Sequence, residues 1–346
     1  MRQTFSFSLF LSYILLASGG RREGAFEVQK DSCSSSIYSK ERLVRNLKGE
    51  ELLFIGDSVV RNSFLALVRM LDEKVQFSHF SSKVLGHVSK QTKNLKETKV
   101  PGRNIGIWSY RSKMINMVYY YTRTTEDSKL LLSTYVGDKK IHKFSGIIYS
   151  NSLWDIGRRF NGHAEYYHGL AEVLNLLQKR LKYVESKVIL LGFQFIEIND
   201  CPKVNSICTV CNHNIVQDFV REAQQRVVSC TQQSLYFDTL TITNSTAAKS
   251  LSSDGIYPGL PVARASALLP VQALYRENSD CSLFHKRNAC DKTLPKISSR
   301  KILEAREDVD NILAQARLKS RKFVAPRCFT DHVHSLFWNV TFNMQD

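Results

Sequence analysis

The stretch Glu51-Leu52-Leu53-Phe54-Ile55-Gly56-Asp57-Ser58-Val59-Val60-Arg61-Asn62 decides how the chain is read. A short apolar run has the length of a buried strand, and Gly-Asp-Ser then supplies the residues of a turn. Residues 59–71 follow with apolar side chains at Val60, Phe64, Leu67, Val68 and Leu71, the spacing of one helix face. The stretch therefore reads as strand, turn and helix in succession. A serine at such a junction can project its hydroxyl from the rim of a sheet, where backbone N–H groups at the helix start face a developing oxyanion. The same residues also suit a purely structural use, with Ser58 capping the helix.

Working outward, further apolar strands are expected at 115–121, 130–135, 146–150, 187–193 and 235–240, with helices at 164–183, 215–228 and 262–275. Strands alternating with helices of this length predict an α/β fold, an open and mostly parallel sheet with helices on both faces. In such sheets sites form at the carboxyl ends of the strands. The alternation runs over residues 48–275. Residues 276–346 read as a cysteine-containing C-terminal extension packed on the core, with one amphipathic helix at 301–318 carrying Ile302, Val309, Ile312, Leu313 and Ala316 on its apolar side.

A chain of 346 residues that is 43% hydrophobic can build one large domain plus an appendage, and 16 Gly with 7 Pro exclude collagen-like and low-complexity chains. Residues 1–19 carry a basic start, an apolar centre and small residues at the end, the pattern of a secretory signal peptide; Arg21 and Arg22 keep an uncleaved signal-anchor open. Residues 20–47 form a lead-in. No later apolar run is long enough to span a bilayer, so no transmembrane body is expected. Eight cysteines fit an oxidising compartment, and disulfides are the default reading. Cys201, Cys208, Cys211 and His213 could alternatively be drawn as a zinc site, although their spacing is unfamiliar. The sequons Asn244-Ser245-Thr246 and Asn339-Val340-Thr341 suit the same secretory route, in the Golgi, the ER lumen or outside the cell. A net charge of +16 without a nucleic-acid-binding motif favours acidic glycans or anionic surfaces as partners over nucleic acid. Nothing in the sequence fixes an oligomeric state.

Gly56-Asp57-Ser58-x-x-Arg61-Asn62, with Leu65 and Leu71 beyond it, resembles block one of the GDS-type SGNH hydrolase-like proteins. Within them the chain is most similar to the PC-esterase group, which includes plant trichome birefringence-like polysaccharide O-acetyltransferases and sialic-acid and capsule O-acetyltransferases. Residues 147–155, Ile-Ile-Tyr-Ser-Asn-Ser-Leu-Trp-Asp, are similar to the family's third block, and 254–261, Asp-Gly-Ile-Tyr-Pro-Gly-Leu-Pro, to its terminal D-x-x-H block. The resemblance spans roughly residues 48 to 275 and implies an SGNH or flavodoxin-like three-layer fold. It implies Ser58 as nucleophile, the Ser58 N–H and Asn151 as oxyanion donors, and Asp254 in the acid position. Arg61, Asn62, Trp154 and Tyr257 would line the substrate site. Read without the resemblance, Asn151 is a turn residue after a strand, Arg61 a surface cation, and Trp108, Tyr110, Tyr119, Tyr120, Tyr121 and Trp154 are core aromatics or sugar-stacking faces.

One departure matters. Tyr257 stands where the family places its catalytic His, and a phenol with an ordinary pKa of about 10 donates a hydrogen bond far more readily than it accepts a proton. His334, in Asp331-His332-Val333-His334, repeats the D-x-x-H spacing and is the substitute base considered; His163 and His168 are lesser candidates. The implied activity is an acetyl transferase or esterase acting on carbohydrate or glycoconjugate, with no metal and no cofactor; a donor such as acetyl-CoA would enter as substrate. A catalytically degenerate glycan-binding or scaffolding relative is the alternative. A basic secreted protein with a coincidental GDS triplet is a third reading.

Overall fold

A computed structural model describes residues 29–30, 33–34, 40–72, 76–77, 88–90, 95–99, 106–112, 115–134, 144–151, 154–155, 163–192, 214–243, 260–275, 284–285 and 290. In chain order the strands are β1 Gln29–Lys30, β2 Cys33–Ser34, β3 Glu50–Gly56, β4 Gln76–Phe77, β5 Val88–Lys90, β6 Leu95–Lys99, β7 Gly106–Arg111, β8 Ile115–Tyr121, β9 Gly146–Ser150, β10 Lys187–Leu191, β11 Ser234–Phe237 and β12 Phe284–His285. The helices are α1 Lys40–Asn46, α2 Ser58–Leu71, α3 Thr125–Thr134, α4 His163–Gln178, α5 Asn214–Ser229, α6 Thr239–Thr243 and α7 Leu260–Tyr275. Eight strands form the main sheet in the order β12-β11-β10-β9-β3-β8-β7-β6. The five from β11 to β8 are parallel, and β12, β7 and β6 extend the edges antiparallel.

The middle of this sheet is apolar on both faces because helices cover both. Leu52 and Phe54 of β3 pack with Ile148, Ile189 and Phe237 against α1, α2 and α7. Leu53 and Ile55 face the other way with Ile147, Tyr149 and Leu190, against α3, α4 and α5. Burying each such aliphatic side chain contributes about 1.5–3 kcal/mol, which explains the unbroken apolar run of a central parallel strand. In chain order the parallel strands β3, β8, β9, β10 and β11 stand as 2-1-3-4-5, the flavodoxin-like doubly wound arrangement. After β3 the chain passes to β8 on one side, then returns to β9 on the other. The carboxyl end of β3 is thus the switch point, where such folds open a crevice.

Three expectations are corrected. Residues 130–135 are not a strand: 125–134 form α3, with Leu131 and Leu132 buried and Leu130 turned outward. A short apolar run does not distinguish strand from helix, and here the capping described below decides. The strand expected at 235–240 ends at Phe237 and gives way to α6. The helix expected at 164–183 stops at Gln178. Strands β6 and β7 were not foreseen; Trp108 and Tyr110 on β7 are core residues facing the α2 side. Part of the predicted extension belongs to the sheet, since β12 pairs with β11, and Cys230 at the end of α5 is disulfide-bonded to Cys290. The amphipathic helix expected at 301–318, both sequons, the residue 1–19 leader and the Cys201, Cys208, Cys211 and His213 cluster lie outside the described residues. No helix among the described residues is long and apolar enough to cross a membrane.

Candidate functional site

Three chain segments leave the carboxyl edge side by side: Asp57 and Ser58 after β3, Thr122 after β8 and Asn151 after β9. Gly56 pairs with Tyr121 on one side and Ser150 on the other. Its φ is +152°, and a Cβ there would lie 2.0 Å from the Ser150 carbonyl oxygen and 2.6 Å from Val60 Cγ2. Only glycine lets the strand end this close to both its neighbour and the incoming helix. The Tyr119 hydroxyl donates to the carbonyls of Gly56 at 3.0 Å and Asp57 at 2.8 Å, and the Thr122 N–H donates to Gly56 at 2.9 Å.

The cap of α2 is Asp57, whose Oδ1 accepts the Val59 N–H at 2.9 Å. Ser58 is therefore the first helical residue, and the capping use considered for it belongs to its neighbour. Burial pushes the Asp57 carboxyl up to about 7, against the lowering effects of the Val59 N–H and the Arg61 charge. Ser58 is 2% exposed and Arg61 and Asn62 are little more so, because α2 is covered on every side from Ser58 to Val68. The hydroxyl sits at the rim of the sheet, as its place in the sequence implies, but under cover.

Asn151 is 1% exposed. Its amide nitrogen donates to the Thr124 carbonyl at 2.8 Å and to the Thr122 and Ser128 hydroxyl oxygens. The Ser128 hydroxyl donates in turn to Thr122 Oγ1 at 2.9 Å. Two amide hydrogens meet three acceptors, so one goes to the carbonyl and the hydroxyls share the other. Asn151 thereby ties the end of β9 to the β8–α3 connection. Asp155 repeats the tie, its Oδ2 accepting the Thr125 N–H at 2.9 Å. Burial raises its carboxyl to about 7, with Asp127 and Asp57 adding to the rise against the Thr125 N–H. The start of α3 is a capping box: Thr124 Oγ1 accepts the Asp127 N–H at 3.1 Å and Asp127 Oδ2 accepts the Thr124 N–H at 3.2 Å. Thr124-Thr125-Glu126-Asp127 is the sequence signal that identifies this helix.

Trp154 is buried in the core on the α4 side, with Arg123 placed 5.8 Å from its ring centroid. His168 is exposed on α4, edge-on to Tyr167, and His163 opens that helix. The structure thus brings Ser58, Arg61, Asn62, Asn151 and Trp154 to the ends of two adjacent strands. Asp254, Tyr257, His332 and His334 lie outside the described residues. Among the described residues no cluster of His, Cys, Asp or Glu is arranged to hold a metal ion. Arg123, Thr122 and Ser128 belong to this edge and carry no site reading in the sequence; Tyr119, read there as a core aromatic or a sugar-stacking face, is buried in the core and holds the turn.

No protein-family description matches the chain, and no curated protein does. Among solved structures, phospholipase A1 from Streptomyces albidoflavus NA297 matches over 66% of this chain and 99% of its own, at 12% identity and a TM-score of 0.36. The fold assignment rests on the strand order of this chain's own sheet.

Proposed function

We propose that the chain is an SGNH-type acyl transferase or esterase that acts on carbohydrate in the secretory pathway through a Ser58 acyl-enzyme. The observation that carries the reading is the β3–α2 turn: a glycine that admits no side chain, an aspartate cap and a serine at the helix start, at the switch point of a doubly wound sheet. The Ser58 oxygen attacks the acyl carbonyl and its proton passes to a base. The adduct then collapses to the acyl-enzyme as the donor's ester or thioester bond breaks and the base returns the proton to the leaving alcohol or thiol, with Asp254 in the acid position and His334 the substitute base for the His that Tyr257 replaces. The Ser58 N–H and Asn151 steady the tetrahedral oxygen. For this Asn151 exchanges the hydrogen shared by Thr122 and Ser128, since those hydroxyls are already bonded to each other. Water resolves the acyl-enzyme to an acid, whereas a sugar hydroxyl resolves it to a new ester. The Cys230–Cys290 disulfide supports the oxidising compartment.

A second reading, a glycan-binding relative without catalysis, is favoured by Tyr257 and by the cover over Ser58. Reaction with a serine-directed fluorophosphonate, comparing wild type with Ser58→Ala, separates the two. Labelling of wild type alone is the expected result. Equal labelling of both, or of neither, removes Ser58 as an activated nucleophile and leaves the binder.

A further inference from the structure

Two arginines follow neighbouring strand ends, Arg61 after β3 and Arg123 after β8, with donor capacity left over. Arg61 stands three residues after Ser58, on the same face of α2, and is 4% exposed. Its Nε and Nη2 are buried and, among the described residues, have no hydrogen-bond partner. Among the described residues the opposite charge beside it is Asp57, which already accepts a backbone N–H and which burial drives toward its neutral form. Arg123 follows β8. Burial raises the Tyr121 phenol, while Arg123, lying against it, and Arg61 both act to lower it. The same Arg123 guanidinium lies over Trp154. Tyr121 ends β8 opposite Gly56, and Trp154 follows β9, the two strands that flank β3. Arg123 Nε likewise has no partner among the described residues.

A guanidinium taken out of water without a full set of acceptors is costly, and a helix start adds further positive potential at the same place. Among the described residues the other acids on this edge are engaged: Asp155 holds the Thr125 N–H, and Asp127 holds the Arg123 and Thr124 N–H groups. We propose that Arg61 and Arg123, with the start of α2, form a binding site for an anionic group of the ligand, a carboxylate carried by an acidic sugar. The proposal rests on the carbohydrate part of the reading above and adds the charge of the substrate. Guanidinium forks match a carboxylate in two parallel hydrogen bonds, and the net charge of +16 draws acidic glycans to the surface.

Calorimetric titration of the full chain with trigalacturonate and with its fully methyl-esterified form tests this. The acid form should bind at least about tenfold tighter, the preference should shrink with added salt, and Arg123→Gln should remove it. Arg61→Lys, which keeps the charge and loses the fork, should weaken the acid form alone, with an unchanged melting temperature reporting intact folding. Equal binding of both forms, no binding of either, or a preference that survives Arg123→Gln overturns the proposal. Fluorophosphonate labelling reads the chemistry separately: acid-selective binding without labelling sinks the acyl-transfer reading alone, and labelling without acid selectivity sinks the anion site alone.

Discussion

The turns that leave β3 and β9 start at paired positions, Gly56 opposite Ser150, and differ in which buried atoms have no hydrogen-bond partner among the described residues: a cation's donors after β3, a neutral amide oxygen and an indole nitrogen after β9. After β9 the donors of Asn151 and the acceptor of Asp155 are used within the fold, while the atoms Asn151 Oδ1 and Trp154 Nε1 are buried with no hydrogen bond among the described residues. The Asn151 amide hydrogens and the Asp155 carboxylate all reach across to the β8–α3 connection, so that turn holds the ends of β9 and β8 together. After β3 the backbone is held just as firmly, by Tyr119, Thr122 and the Asp57 cap, but Arg61 is left with buried donors that no described residue takes up. Among the described residues buried donors without partners also occur elsewhere, at Trp108 and Arg180 for example, but at the β3 turn they belong to a guanidinium one helical turn from Ser58. The contrast gives the β9 turn the cross-strand ties of the resting fold and the β3 turn a buried cation with donors to spare.

The comparison breaks most violently at Gly56→Ala. A Cβ placed 2.0 Å from a backbone carbonyl oxygen and at φ +152° cannot be accommodated by a side-chain shift. The expected loss is about 4 kcal/mol or more, read from urea unfolding, because both strand and helix would have to move. A loss below about 1 kcal/mol would show that the turn is loosely held. Asn151→Ala comes next. It strips the Thr124 carbonyl and two hydroxyls of a donor in a buried setting, at a cost of about 2 kcal/mol, and α3 should lose amide-exchange protection before α2 does. Equal loss of protection in both helices would contradict the assignment of Asn151 to the β9 side alone.

How much of this was legible depends on whether the signal is local. The strands β3, β8, β9 and β10 announce themselves because their apolar runs are bounded by turns, and α2, α5 and α7 because their apolar side chains recur at helical spacing. The segment at 130–135 misleads because Leu130, Leu131 and Leu132 are consecutive and fit either period; the decisive residues, Thr124 and Asp127, lie upstream in a capping box. Edge strands β6 and β7 escape because a strand such as Leu95–Lys99, Leu-Lys-Glu-Thr-Lys, carries little apolar signal of its own. In the site, Ser58 and Asn151 could be placed at neighbouring strand ends from the motif order. Arg123 could not, since its importance comes from touching Tyr121 and Trp154, which only the sheet order brings together.

The finest test of the contrast is electrostatic, because each turn buries one carboxyl whose pKa stands near 7 instead of the ordinary 3.8: Asp57 after β3 and Asp155 after β9. A carboxyl raised in the folded state holds its proton there while the unfolded chain has already released it. Below about pH 4 both states are protonated and nothing is lost. Between about pH 4 and 7 the unfolded state gains its charge first, so these two groups make the fold progressively less stable as pH rises, and above about pH 7 their penalty is constant. Asp57→Asn preserves a capping oxygen and removes one of the two titrations. Relative to wild type, the variant should therefore gain about 1 kcal/mol or more between pH 4 and pH 7, read as a difference in urea midpoints along the pH series. Asp155, whose carboxyl burial also raises to about 7, should give a gain of similar size over the same window on the same substitution. A wild type that gains stability over Asp57→Asn across that window would mean that the Arg61 charge outweighs burial, and would leave Arg61 neutralised by Asp57 with no charge to spare for a ligand.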